Sequence, residues 1–161
     1  MTDTPSALRA SVAAAVPRLL AIGDAASGVR PAPGKWSPRE IVGHLIDSAA
    51  NNHARFVRAQ SSDDLVLPGY AQEEWVRVQG YQDAEWGELV ELWAAYNRHL
   101  AWVIGRVPAE VAKRSRGRHN LHEIAWQSVP ADRPATLAYF MADYVDHLEH
   151  HLRQIWTATG R

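Results

Sequence analysis

The chain has no cysteine, which removes disulfides, thiolate zinc sites, iron–sulfur clusters and a cysteine nucleophile together. Any metal must then be held by histidine and carboxylate. Neither sign of charge is in excess: 17 Lys and Arg stand against 18 Asp and Glu, a balance without the basic footprint of a nucleic-acid binder. Long apolar runs are missing too. The Ala- and Leu-rich stretch from Ala7 to Ala26 is broken by Arg9, Pro17, Arg18 and Asp24. Its longest uninterrupted run, Val12 to Val16, is too short for a signal-peptide core and far too short to span a membrane. The expectation is a cytoplasmic protein with neither a membrane nor a nucleic acid as partner. Internal repeats, low-complexity tails and sustained strand-type alternation are likewise absent. With 161 residues and 47% hydrophobic content, the chain has the length of one domain, residues 1–161, burying roughly 70% of its unfolded surface.

What is present is helical periodicity in four segments. The first runs from Pro5 to Asp24, with Leu8, Val12, Val16 and Leu19 on one stripe and Pro17 as the expected kink. After a loop from Gly28 to Trp36, Ser37-Pro38-Arg39-Glu40 reads as a helix start. Ser is the cap, Pro the first helical residue, and Glu closes a capping box. This second helix should reach about Arg58. Ser61 to Gln82 is a polar connection with Pro68, Gly69 and Gly80, long enough to suggest function. Asp83 is the expected cap of a third helix through Trp86, Leu89, Val90, Trp93, Tyr96, Leu100 and Val103, which ends before Pro108. Ala112 to Arg133 is again irregular. Pro134 should open the last helix, which extends to about Thr157. Four amphipathic helices with two long crossovers spell an all-α bundle, whose chemistry lies between facing helices.

Eight histidines and seven tryptophans stand out. Two His at i and i+4 on a helix point the same way and can share one ion, and His147 and His151 have that spacing. At about 100° per residue, the stripe of Leu137, Phe140, Tyr144, Leu148 and Ile155 centres near Tyr144. His151 then lies about 20° away, His147 about 60° and His150 about 120°. His150 should face outward. A third ligand could be His44, one turn past Glu40, or His53, on the other flank of the second helix's apolar stripe; wheel geometry does not choose. His99 should face solvent, and His119 and His122 fall where a pocket mouth could be. A carboxylate-bridged di-iron bundle is disfavoured, because no Glu-x-x-His pair occurs.

Trp36-Ser37-Pro38-Arg39-Glu40-Ile41-Val42-Gly43-His44-Leu45 resembles the second helix of the DinB-like superfamily, which includes the YfiT-type proteins named as metal-dependent hydrolases. Asp146-His147-Leu148-Glu149-His150-His151-Leu152-Arg153-Gln154-Ile155 is similar to that family's closing HxxxH signature followed by Gln-Ile. Leu67-Pro68-Gly69-Tyr70 with Glu74-Trp75 looks like its crossover, and Tyr96-Asn97-Arg98 fits its third helix. The resemblance covers Pro5 to Thr157. It implies an up-down-down-up four-helix bundle, often a homodimer, with a divalent metal on three histidines. Those ligands fall on His44, His147 and His151. One departure is that Gly117 to Arg133 lacks the compact His and Gly turn many relatives carry before the fourth helix.

Three His with an open coordination position make a catalytic rather than a structural site. Zinc is the first expectation for the metal, with nickel, iron and manganese as alternatives. The chemistry implied is hydrolysis of a small-molecule substrate or transfer of a low-molecular-weight thiol, which must come from a cosubstrate in a chain without cysteine. Asp143 and Tyr144 are the candidate acid–base groups. Arg114, Arg116 and Arg118, with Tyr70 and Trp75, are candidates for gripping an anionic thiol. The rival from another class is a non-catalytic, metal-binding dimeric bundle serving as a stress-related or ligand-binding module. A homodimer is also the expectation from seven tryptophans, more than one small core readily buries.

Overall fold

The computed structural model describes residues 3–160. Four long helices form the body: α1 (Thr4–Ile22), α3 (Pro38–Ala59), α5 (Trp86–Arg106) and α8 (Leu137–Thr159). Short helices α2 (Asp24–Ser27), α4 (Gln72–Gln79), α6 (Ala109–Lys113) and α7 (Leu121–Ile124) sit in the connections. Among the described residues no helix is long and apolar enough to cross a membrane.

Side-chain contacts fix the directions. Trp86 Nε1, at the start of α5, donates to Leu19 O near the end of α1, while Gly105 at the far end lies against Pro5; the two helices are antiparallel. Ser11 bonds Glu149 and Arg18 covers the Trp156 ring, so α1 and α8 run together. Tyr81, just before α5, packs on Gly43, and Tyr96 meets His53 ten residues further along α3, so α3 and α5 are parallel. Phe56 meets Phe140 and Tyr144 while His44 meets His147, which makes α3 and α8 antiparallel. The result is the up-down-down-up bundle. Helices α1 and α3 each pack against α5 and α8, so successive long helices α1 and α3 lie diagonally.

Several boundaries differ from the sequence expectation for local reasons. Helix α1 is capped by Asp3, whose carboxylate accepts from Ser6 N, continues through Pro17 as one element and stops at Gly23, where φ is +77°. Asp24 therefore belongs to α2. The capping box at Ser37 and Glu40 forms in full, reinforced by Arg30 on the Glu40 carboxylate. Asp83 does not cap α5. It ends a 3-10 turn, Tyr81–Asp83, and Glu85 takes the cap by accepting from Glu88 N. Pro134 does not open α8 either: Ala135 exchanges backbone hydrogen bonds with Arg116, which holds it extended, so Thr136 is the cap. The 61–82 connection is not wholly irregular, since it contains α4.

The core is a single cluster running the length of the bundle, with Trp93, Phe56, Phe140 and Leu148 among its fully buried members. Polar residues interrupt it on one side. His44, Ser48, Asn52 and Arg55 are all buried on α3, spaced by four, four and three residues, so they form a stripe of about 80° or less on one face.

Candidate metal centre

The polar stripe of α3 faces α8, where it meets His147 and His151 one turn apart. His44 Nε2 lies 3.3 Å from His147 Nε2, and His151 Nε2 lies 3.0 Å from the same atom. The ligand atoms of all three fall within 4.8 Å of one another. His44 is 1% exposed and rests on the Trp36 ring, with centroids 5.1 Å apart. Trp126 covers the other side, 6.4 Å from the His147 ring.

Burial pushes the His44 imidazole down to about 3, with the neighbouring His151 adding to it. The same cause, followed by His151, His44 and His150, brings His147 to about 3. His151 is lowered by burial and by His150, against a raising hydrogen bond from Gln154. All three are therefore neutral imidazoles, the form that ligates metal.

Their mutual contacts are poorly satisfied without a cation. His151 Nδ1 donates to Gln154 Oε1 at 2.8 Å, so in a neutral ring its Nε2 presents a lone pair. His147 Nε2 carries at most one proton and can serve only one of two close neighbours. The other ring nitrogen of His44, Nδ1, is buried with no partner among the described residues. Nitrogens bound to one tetrahedral zinc at about 2.0–2.1 Å stand about 3.3 Å apart, close to the observed separations. The donor set thus fits a divalent cation, with Gln154 as the outer partner that fixes one ligand's tautomer.

Two cavities adjoin the cluster. One, of about 410 Å³, is lined by His147 together with Arg55, Tyr70, Trp126, Asp143 and Tyr144. The other, of about 840 Å³, is lined by His151, His150, Trp36 and Gln154. Gln72 on α4 belongs to the walls of both.

The remaining candidates lie elsewhere or are already engaged. His150 stacks against Trp126 and accepts from Gln154 Nε2, outside the cluster. His53 turns to Tyr96 and His99 on the α3–α5 surface, which resolves the choice left open by the helical wheel. His119 is buried, donating to Arg133 O and accepting from Leu121 N; His122 pairs with Glu123. Neither lines either of these two cavities. Asp143 is buried rather than solvated, and its two oxygens accept from the backbone of Trp126 and Gln127 at 2.9 and 2.7 Å. Burial raises its carboxyl above the usual range against those bonds, and Asp146 adds to the rise. Tyr144 donates to Asn97 Oδ1 at 2.5 Å, and burial drives its phenol well up. Arg114 and Arg118 reach Asp63 and Asp64, and Arg116 reaches Ala59 O. Arg116 fastens the end of α3, Arg114 and Arg118 hold the segment just after it, and all three line neither cavity.

Sequence reasoning missed Arg55, Asn52, Trp126 and the linking role of Gln154. A signal for the first two existed: polar residues at 44, 48, 52 and 55 occupy a helix face that should be apolar.

Residues 7–155 match the family model of the DinB superfamily. The chain belongs to that superfamily. Similar proteins include one of Oceanobacillus iheyensis named "Putative metal-dependent hydrolase", 25% identical over 76% of this chain and 64% of that one. A Bacillus mycoides protein of the same name is 23% identical over 80% of this chain and 67% of its own. The chain thus spans about two thirds of the length of these curated relatives. YfiT from Bacillus subtilis, described as "a probable metal-dependent hydrolase with an unusual four-helix bundle topology", superposes with a TM-score of 0.78 at 19% identity, over 98% of this chain and 85% of that one. At that identity the likeness establishes the shared four-helix bundle fold.

Proposed function

We propose that this DinB-superfamily chain is a metal-dependent enzyme, holding one divalent cation on His44, His147 and His151 and acting on a small molecule in the adjoining cavities. The observation that carries this is the convergence of three neutral imidazoles, His44 buried and His147 and His151 half-buried, whose Nε2 atoms stand 3.0–3.3 Å apart about His147, which can serve only one of its two neighbours without a cation. An all-imidazole set suits zinc first, with nickel, iron or manganese next. A cation held there supplies Lewis acidity and lowers the pKa of a coordinated water or thiol.

The chain's own residues do the rest. Gln154 orients His151, and Asp143 pins the Trp126–Gln127 backbone that walls the smaller cavity. Two chambers that share Gln72 in their walls suit a two-substrate thiol transfer as well as hydrolysis. We further propose a homodimer, with a second copy covering the outer face of α5, where Leu92 and Trp102 are 51% and 59% exposed.

One observation favours a second possibility, a non-catalytic metal-binding module. Asp143 and Tyr144, the nearest candidate acid–base groups, are already engaged by backbone amides and by Asn97. Metal analysis of protein purified without an affinity tag tests the centre: stoichiometric metal is expected, lost in His44→Ala and His147→Ala and retained in His150→Ala. Metal retained in His44→Ala would sink the assignment. Assaying the loaded protein with several biological thiols and a generic electrophile then separates the chemistries. Turnover needing metal and thiol supports transfer, turnover with metal alone supports hydrolysis, and none supports the module.

A further inference from the structure

Arg55 is used neither by the cluster nor by any ion pair. It is 5% exposed, and among the described residues it has no carboxylate partner. Its Nε donates to Pro68 O at 2.9 Å and its Nη1 to Asn52 Oδ1 at 3.2 Å. A guanidinium has five N–H groups, and Nη2 has no acceptor among the described residues. Nη2 is also not among the sealed, unpartnered atoms, so it keeps accessible surface, and Arg55 lines the same cavity as His147. The rings of Tyr70 and Phe140 lie beside the guanidinium, 5.7 and 5.9 Å from it, and burial lowers its pKa, opposed only by Tyr70.

A buried cation without a counter-ion is costly, and such charges are ordinarily paired. Here the carboxylates that could have paired with it are committed elsewhere. Asp143 accepts from two backbone amides, and Glu123, exposed at the rim 3.4 Å from His122, makes no ion pair with Arg55. A counter-ion that arrives with the substrate resolves the imbalance.

We propose that the cavity beside His147 receives a small organic carboxylate, its anionic end on the Arg55 guanidinium and its other end toward the three-His cluster. This rests on taking that cavity as the substrate chamber of the metal centre. One guanidinium with free N–H groups matches a planar, singly charged carboxylate. A phosphate dianion would call for more than one cation, and Arg55 is the one Lys or Arg in the wall. A volume of about 410 Å³ lies at the lower end of the roughly 300–1,000 Å³ range of small-molecule sites.

The test uses matched probes on full-length protein, metal-free and zinc-loaded: acetate, propionate and benzoate, each beside its neutral amide, with inorganic phosphate as a separate arm. Calorimetry and thermal shift report binding, independently of turnover. At least one carboxylate should bind at least tenfold tighter than its amide, and Arg55→Gln should erase that preference while keeping its metal content. Arg55→Lys, which retains the charge, should keep part of it. Should Arg55→Gln fail to fold, the Lys variant and the wild-type carboxylate-to-amide ratio still decide. Equal binding of acid and amide, no binding of any carboxylate, an unchanged preference in Arg55→Gln, or phosphate outcompeting all three carboxylates would overturn the proposal. Because metal content is measured separately, loss of the metal centre and loss of the anion site are distinguishable.

Discussion

Gly43 sits inside α3, next to a cluster histidine, and the ring of Tyr81 lies directly on it. A Cβ at Gly43 would come within 2.1 Å of Tyr81 Cδ2 and 2.2 Å of Cγ, a distance no side chain tolerates. In Gly43→Ala the ring must therefore leave. Tyr81 is buried, and its hydroxyl donates to Asp47 Oδ1 at 2.6 Å. Expelling the ring forfeits roughly 1.5–3 kcal/mol of apolar burial. It also leaves Asp47, already raised by burial, short of a donor, at roughly 1–3 kcal/mol more. Against this, Ala gains about 1 kcal/mol of helix propensity over Gly. The net expectation is a loss of about 3 kcal/mol, or roughly 6–12 °C in Tm for a domain this size. Gly105→Ala is the control. Its Cβ would make ordinary 3.7 Å contacts with Pro5, so stability should hold or rise by up to about 1 kcal/mol. Urea unfolding followed by circular dichroism at 222 nm measures both. Gly43→Ala as stable as the parent would refute the close packing of the Tyr81 ring on Gly43.

Gln154→Leu removes the acceptor that orients His151 and should weaken metal affinity by roughly 10–100-fold, with little change in unfolding midpoint; a competition titration against a chelator reads it, and unchanged affinity would count against the outer-partner role. In the metal-free protein, His44 and His147 titrate near 3, below their unfolded values of about 6.5. The unfolded state binds the extra protons between those limits, so stability is full above pH 6.5 and falls as the pH drops toward 3, by up to about 1.4 kcal/mol per pH unit per histidine. His44→Ala should flatten that slope relative to wild type, and equal slopes in urea titrations from pH 7 to 4 would contradict it. Sedimentation at micromolar concentration should give twice 17.9 kDa, reduced to a monomer by Trp102→Glu; a wild-type monomer would discard the dimer.

The four long helices were legible because each carries enough apolar residues at helical spacing to define a face, and because Ser37, Pro38 and Glu40 form a start signal entirely within the local chain. Boundaries set by long-range partners were not. Ala135 is held extended by Arg116, nineteen residues away, so Pro134 misled as a helix start. The wheel also separated His150 from His147 and His151, since spacing within one helix is fixed by its pitch.

What the sequence alone determined is therefore what 3.6-residue periodicity and local capping control: the class, the four long helices, and the pairing of His147 with His151. The choice of His44 over His53 by geometry required the packing of α3 against α8, because both histidines flank the same stripe and only the partner helix distinguishes the flanks. The fates of Asp143, Tyr144 and the three arginines at 114, 116 and 118 were likewise tertiary. Each is decided by a backbone or side-chain partner 16 to 57 residues away in sequence, beyond the reach of any local pattern. Arg55 belongs to both: its place on the His44 face is written in the spacing, but its lack of a counter-ion emerged only when the bundle closed around it.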